Sequence, residues 1–408
     1  MKYIILLGDG MADYPIESIG GKTPLEAAYT PNMDRIAAEG TLGLIDTIPP
    51  GFSPGSDVAI LTLLGYDAQK YYSGRGPLEA ANMGVRLGSE DVAFRCNLVT
   101  LSMVKDRLME DFTAGHITSH EARHLIDDID EKIGTSEFQF YPGVGYRHLM
   151  VWKGGVDDLQ TTPPHDITGK PFEPYLPKGR AAQKILDLMR RSQEILNDHS
   201  INRQRISENC KPANSIWLWG QGRAPRMVRL TDKYGLTGGM ISAVDLLNGI
   251  GIYAGLEVIR IQGATGYTDT NYSGKAIGAL NALRKSDFIF VHVEAPDEMG
   301  HEGNIEGKIR AIEAFDEYVV GTIMKELHSF SPFRLMVLSD HPTPIALKTH
   351  ASDPSPFAVF SSVRGENYMN GFLFSEASAR NAGFTVSPGH LLMDAFINHW
   401  GEFIEKHR

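Results

Sequence analysis

Phe288-Ile289-Phe290-Val291-His292-Val293 is an apolar run that ends in Glu294-Ala295-Pro296-Asp297-Glu298-Met299-Gly300-His301. Phe333-Arg334-Leu335-Met336-Val337 likewise runs into Leu338-Ser339-Asp340-His341, and Tyr3-Ile4-Ile5-Leu6-Leu7 into Gly8-Asp9-Gly10. Each run reads as a buried strand, and each delivers acids or imidazoles where it stops. In an open parallel sheet, ligands collect in the loops beyond the carboxyl ends of the strands. Asp9, Asp297, His301, Asp340 and His341 are therefore expected to converge there, joined by His350.

Working outward, strands alternate with helices at both ends of the chain. The pattern predicts helices Gly239 to Ala254, Ser273 to Arg284, Asn304 to Leu327 and Pro388 to Lys406, and strands Leu256 to Ile261, Asp287 to Val293 and Phe333 to Leu338. Thr30-Pro31, the residues to Glu39, and Gly40 predict a short helix with a capping threonine, a first-turn proline and a terminating glycine. The stretch from Ile48 to Gly55, rich in proline and glycine, excludes regular structure and delivers Ser56-Asp57 to the apolar segment Val58 to Leu64. Ser56 is thereby expected at a helix amino terminus.

From Arg86 to Pro225 the pattern loosens. Strand-like runs Val92 to Val99, Tyr146 to Trp152 and Ser215 to Trp219 surround a proline-rich loop, Thr161 to Pro177, and an amphipathic helix from Arg180 to Asn197. The expected fold is α/β, a mostly parallel sheet with helices on both faces and an inserted smaller α+β domain. Residues 1–85 and 226–408 form its core in two segments, and residues 86–225 form the insert.

Composition narrows the function. With 408 residues and 42% hydrophobic content the chain buries a large core, and a formal charge of −11 argues against nucleic-acid or anionic-membrane partners, which need a basic face. Cys96 and Cys210 are too few for a disulfide framework and fit a reducing cytoplasm. The first apolar run is too short for a signal-peptide core or a membrane span, so a cytoplasmic protein is expected. Gly21-Lys22-Thr23 and Gly249-Ile250-Gly251 mimic nucleotide motifs, but neither follows a strand, so no nucleotide is expected.

Asp9, Asp297 and Asp340 offer hard oxygens, and His301, His341 and His350 offer borderline nitrogens. That mixture suits two divalent ions, manganese or zinc better than magnesium or calcium. A serine hydroxyl is a weak nucleophile at neutral pH and needs a base or a metal to activate it. At a helix start, backbone N–H groups and the positive dipole end also favour an alkoxide and an incoming phosphate. Metal, helix and Ser56 together point to phosphoryl transfer through a phosphoserine.

At these residues the chain resembles a known family. Gly8-Asp9-Gly10, Pro54-Gly55-Ser56-Asp57, Ala295 to His301, Ser339-Asp340-His341 and Thr349-His350-Ala351-Ser352-Asp353-Pro354 look like the motifs of cofactor-independent phosphoglycerate mutases in the alkaline phosphatase superfamily. Gly74-Arg75-Gly76-Pro77-Leu78-Glu79-Ala80 and Gly263 to Tyr272 resemble the short, archaeal-type branch. The resemblance implies a phosphatase-like core, with Asp9, Ser56, Asp340 and His341 around the ion that touches the nucleophile. Asp297, His301 and His350 would hold a second ion. Manganese is the expected metal, with zinc, cobalt or magnesium as alternatives, and no 2,3-bisphosphoglycerate.

The activity implied is interconversion of 3-phosphoglycerate and 2-phosphoglycerate, a step of glycolysis and gluconeogenesis. The insert would close over this small phosphorylated metabolite, clamp its carboxylate and exclude water. Candidate clamp residues are Arg147, His148, His165, Asp166, Arg223 and Arg226, with Arg147 and Arg223 favoured for their planar forks. His116 stands where the branch pattern leads one to expect arginine, and Lys275 reads as the exposed face of a helix. A homoserine kinase-like phosphotransferase and a two-metal phosphohydrolase are the alternative readings.

Overall fold

The computed structural model describes residues 1–102, 107–369 and 371–406. In chain order its strands are β1 (Lys2–Gly8), β2 (Thr41–Ile45), β3 (Val92–Leu101), β4 (Met109–Asp111), β5 (Phe138–Val144), β6 (Arg147–Trp152), β7 (Ser215–Gly222), β8 (Gly238–Ile241), β9 (Glu257–Val258), β10 (Phe288–Val293), β11 (Phe333–Leu338), β12 (Ser355–Ser361) and β13 (Thr385–Val386). The chain divides into two compact units, Met1–Tyr72 with Met227–Arg408, and Ser73–Arg226.

The first unit holds an eight-stranded sheet in the order β13-β2-β12-β11-β1-β10-β8-β9. β1 pairs in parallel with β10 and β11, and only β12 runs against its neighbours, so the α/β class and the mostly parallel sheet are as expected. Ile4 and Leu6 belong to the core formed with the helices Tyr272–Leu283 and Ile305–Ala314, while Tyr3 stacks edge-on against Phe396. The sheet is thus covered on both faces, which is why β1, β10 and β11 read as nearly continuous apolar runs. Register does the rest: Gly8 lies opposite Val293, and Leu7 opposite Leu338, so Asp9, the Glu294–Asp297 turn and Asp340-His341 leave the sheet at one edge.

Several local expectations need correction. The helix expected from Gly239 starts at Asp245, because Gly238–Ile241 is strand β8. There a Cβ on Gly238 would meet Leu256 Cδ2 at 2.8 Å, and one on Gly239 would meet Ile259 Cδ1 at 2.7 Å, so the two glycines permit close packing against neighbouring side chains. The strand expected at Leu256 to Ile261 shrinks to Glu257–Val258. Thr30 makes no capping bond; the carboxylate of Asp316, from a π-helical turn Phe315–Val320, accepts from Met33 N–H at 2.7 Å and Asn32 N–H at 3.2 Å instead. A remote acid caps this helix.

The second unit is an antiparallel sheet in which β3 pairs with β4, β6 and β7, and β6 also pairs with β5. Helices Ser119–Ile133 and Ala182–Leu196 cover one face through Leu125, Ile126, Ile129, Ile185 and Leu188, which join Phe94, Cys96 and Leu98. The first of these helices, absent from the sequence reading, carries a capping box between Thr118 and Glu121. On the opposite face, helix Arg75–Asn82 lays Ala80 against Ala93, Leu149 and Val151. Gly76 makes that approach possible, since a Cβ there would lie 2.2 Å from the Ala93 carbonyl oxygen. Among the described residues no helix is long and apolar enough to cross a membrane.

Behind the first sheet edge, Lys308 is fully buried and its ammonium donates to Asp13 Oδ2 at 2.7 Å, to Thr343 O at 2.9 Å and to Ala12 O at 3.2 Å. Asp13 also accepts from Ile345 N–H, so this pair ties the loop after β1 to the loop after β11. Removing one partner of a buried pair strands the other charge. Asp13→Ala is expected to lower unfolding free energy by about 3–5 kcal/mol, read from the urea midpoint, and a shift below about 1 kcal/mol would show the pair to be dispensable.

Candidate functional site

Two strand ends and one helix start build the first cluster. Asp9 and Asp340-His341 are completely buried, and Ser56 opens helix Ser56–Leu63 with Gly55 at the cap position. His341 Nε2 stands 3.2 Å from Ser56 Oγ, 3.2 Å from Asp340 Oδ2 and 3.7 Å from Asp9 Oδ1. Asp340 Oδ1 accepts the N–H of Gly10 at 3.0 Å and of His341 at 2.8 Å, leaving Oδ2 turned inward. Gly10 has φ +60°, and a Cβ on it would meet Asp297 Oδ1 at 2.5 Å, so only glycine lets the loop pass.

The second cluster is Asp297, His301 and His350. Helix Ala295–Glu302 places Asp297 and His301 one turn apart, with His301 Nε2 3.1 Å from Asp297 Oδ2. His350 Nε2 lies 3.5 Å from Asp297 Oδ1 and 2.9 Å from His301 Nε2. The rings of His341 and His350, 4.2 Å apart, join the two clusters.

Hydrogen bonds on the far side of each ring fix its tautomer. His301 Nδ1 faces the Lys348 carbonyl at 3.1 Å and His350 Nδ1 the Pro54 carbonyl at 3.3 Å; a carbonyl only accepts, so both Nδ1 atoms carry protons. The Thr343 hydroxyl donates to Asp297 and so accepts from His341 Nδ1 at 3.3 Å. All three Nε2 atoms then point inward, toward carboxylates, where they take up either a proton or a metal cation.

The charges bear this out. Burial, then the neighbouring charges of Asp340, Asp297 and Glu294, pushes the Asp9 carboxyl well above the usual range. Burial opposes ionisation of Asp297, but hydrogen bonds from His301 and His350 outweigh it and hold its carboxyl well below that range. The Asp297 hydrogen bond lifts His301 to about 9. Asp9 Oδ1 and Asp340 Oδ2 are buried without hydrogen-bond partners. Orphaned oxygens facing inward-aimed imidazole nitrogens are a donor set that fits divalent ions, and both groups have three ligand atoms within 4.8 Å of one another.

Two residues were misjudged from sequence. Lys275 is fully buried, not exposed: its ammonium donates to the His292 carbonyl at 2.8 Å, and burial, opposed by Glu294, pushes it down to about 8. His292 passed as an ordinary strand residue; it is fully buried, with Nε2 2.7 Å from Asp9 Oδ2.

In the second unit the expected clamp residues separate. Arg223 is taken up by Asp157 at 3.1 Å, Gly155 O at 2.8 Å and Glu90 at 3.3 Å, and Arg226 lies 3.8 Å from the same Glu90. His148 points into the unit: 1% exposed, it accepts from Gly143 N–H at 2.9 Å, and burial drives it down to about 3. That places His148 in the sheet's packing, away from solvent and any solute. Arg147, one residue earlier on the alternate face, is exposed, with its guanidinium 5.0 Å from the Tyr146 ring centre. His165 stacks edge-on against Trp219 and Phe112, and Asp166 lies 3.6 Å from it. Arg95 lies over Trp219 at 4.4 Å and pairs with Glu79 at 2.9 Å. Burial lowers His165, Asp166 opposes this, and the charges of Arg75 and Arg95 add to it; burial lowers Arg95 too, Glu79 opposes it, and the charges of Arg75 and Arg147 add to it. Arg75, Arg95 and Arg147 thus form one cationic group, with the His165 ring beside it. His116 sits in a turn at φ +51°, exposed, its N–H donating to Thr113 Oγ1.

Comparison with known proteins places the chain in a family. Residues 37–202 match the family model for 2,3-bisphosphoglycerate-independent phosphoglycerate mutase. A probable 2,3-bisphosphoglycerate-independent phosphoglycerate mutase of Geobacter sulfurreducens is 54% identical over 98% of this chain and all of its own, and the Methanosarcina barkeri enzyme is 54% identical over 93% of this chain and 95% of its own. Among solved structures, a Pyrococcus horikoshii protein superposes with a TM-score of 0.82 at 28% identity, covering 98% of this chain and 97% of that one. The cofactor-independent phosphoglycerate mutase of Thermoplasma acidophilum gives 0.67 at 26% identity, covering 98% of this chain and 100% of its own. With relatives this similar along nearly its whole length, the chain belongs to the family of 2,3-bisphosphoglycerate-independent phosphoglycerate mutases.

Proposed function

We propose that this phosphoglycerate mutase moves the phosphoryl group of 3-phosphoglycerate onto Ser56 Oγ and from there to the 2-hydroxyl of the same glycerate. The observation that carries the reading is the Ser56 hydroxyl at a helix start, 3.2 Å from His341 Nε2 and beside the orphaned oxygens of Asp9 and Asp340. The first transfer forms the Oγ–P bond and breaks the bond to the 3-oxygen; the second reverses it at the 2-oxygen. No water and no second phosphate donor enter. Asp9, Asp340 and His341 would hold one divalent ion and Asp297, His301 and His350 another. When bound, such ions supply positive charge that favours an alkoxide and offsets the charge of phosphoryl oxygens. The amino terminus of helix Ser56–Leu63 contributes its backbone N–H groups and dipole to the same end.

For the substrate's own anionic groups we assign the cationic group of Arg75, Arg95 and Arg147, with His165 beside it. A charge-assisted hydrogen bond contributes about 1.5–3 kcal/mol, so Arg147→Ala is expected to raise KM for 3-phosphoglycerate by roughly 10- to 100-fold. Arg223→Ala, whose guanidinium already serves Asp157 and Glu90, should change KM less than about twofold. Equal effects of the two substitutions would refute the assignment.

The test of the activity is conversion of 3-phosphoglycerate to 2-phosphoglycerate, coupled to enolase, with manganese and without 2,3-bisphosphoglycerate. Turnover that disappears on chelation and returns with metal is expected. Turnover only with ATP and homoserine, or only release of inorganic phosphate, would replace the mutase reading by one of its alternatives.

A further inference from the structure

His292 is the penultimate residue of β10, opposite Leu7 of β1, where the strand pattern calls for an apolar side chain. Its ring is fully buried and held at both nitrogens. Nδ1 lies 3.2 Å from Ser242 Oγ, and that oxygen already accepts the Val244 N–H at 3.0 Å. The Ser242 hydroxyl is thus free to donate its proton to Nδ1, and the groups at Nε2 decide that the ring proton sits there. Nε2 faces Asp9 Oδ2 at 2.7 Å and Glu294 Oε2 at 3.5 Å. A lone pair there would oppose two carboxylates, whereas an N–H donates to the nearer one.

We infer that His292 is a positioning residue for Asp9: held by Ser242, its Nε2–H occupies Asp9 Oδ2 and so presents Oδ1 alone to Asp340, His341 and Ser56. The split is visible in the carboxylate. Oδ2 carries the histidine bond, while Oδ1 is without a hydrogen-bond partner and lies 3.7 Å from His341 Nε2. This is the reverse of His301, His341 and His350, whose fixed proton is on Nδ1 and whose Nε2 atoms are turned to the candidate ions. One protein thus uses buried histidines in two opposite ways, three as candidate ligands and one as a clamp on a ligand.

The inference rests on the assignment of Asp9 to the nucleophile's ion. Groups that orient a metal ligand typically change metal affinity by 10- to 100-fold when removed. Manganese binding, followed by the electron paramagnetic resonance of free ion, is the readout. The wild-type protein is expected to bind two ions. His292→Leu should weaken one of them by roughly 10- to 100-fold and leave the other unchanged, while His292→Gln, which keeps a donor, recovers part of the loss. In turnover, kcat falls and KM for 3-phosphoglycerate stays. Ser242→Ala, a gentler change, should weaken the same ion by a few-fold, and it decides the matter if the leucine variant does not fold. Wild-type protein that binds no manganese would defeat the metal assignment itself. Two ions bound equally well in wild type, His292→Leu and Ser242→Ala would overturn only the positioning role. Three ions in wild type and two in His292→Leu would make His292, with Asp9 and Glu294, a ligand, and would overturn it too.

Discussion

Ser56→Ala protein is expected to convert 3-phosphoglycerate at a rate lower by roughly 10⁴- to 10⁶-fold, the size of loss seen when a covalent nucleophile is deleted. Ser56 Oγ lies 3.2 Å from His341 Nε2, the ring nitrogen that faces Asp9 and Asp340, whereas the Thr343 hydroxyl bonds the opposite nitrogen and donates to Asp297. The substitution is structurally mild. Ser56 occupies the first helical position, Gly55 the cap, and no side-chain capping bond is made, so stability should change by less than about 1 kcal/mol. Binding of 3-phosphoglycerate, measured by calorimetry, should persist, because the residues proposed to hold its anionic groups are untouched. Phosphate from labelled substrate should be trapped on the wild-type protein by acid quench and not on the variant. A variant that keeps a hundredth of the wild-type rate would remove Ser56 as the acceptor, whatever happens to the metal.

The residues around Ser56 were legible because each follows a feature with a local cause. Asp9, Asp297 and Asp340 come directly after apolar runs that cannot face water, and Ser56 follows a stretch that cannot be regular. Pairing partners were not legible. β2 carries Gly43 and β12 carries Pro356, so neither looks like a strand, although they pair with each other and β12 with β11. β8 opens with two glycines whose value lies in neighbours far along the chain. Lys275 and His292 fail for the same reason: a helix-face lysine and a strand histidine take their meaning from a contact that exists only after folding. In the second unit, strand alternation alone separates Arg147 from His148, and the parity of β6 had to be seen before one could be kept and the other set aside.

Manganese affinity at the Asp297 cluster should rise steeply with pH, by roughly tenfold per unit up to about pH 9, and then level off. In the metal-free protein His301 Nε2, Asp297 Oδ2 and His350 Nε2 face one another as acceptors, and a proton on His301 is what reconciles them. An ion must displace that proton, so binding near neutral pH releases about one proton, measurable by calorimetry in buffers of different ionisation enthalpy. Stability of the metal-free protein has the opposite sign. A group whose pKa is higher when folded stabilises the fold fully below its unfolded value, about 6.5, and that contribution is lost as pH climbs through about 9. The metal-free protein should therefore melt at lower temperature as pH rises from 6.5 to 9, while manganese, bound more tightly over the same interval, should raise the melting temperature by a growing margin. His301→Ala should flatten both slopes. Affinity independent of pH between 6 and 9, with no proton released, would mean that His301 meets the ion already deprotonated or does not meet it. The proton and the metal compete for one set of atoms, so this dependence belongs to the cluster's geometry and should appear in binding before it appears in turnover.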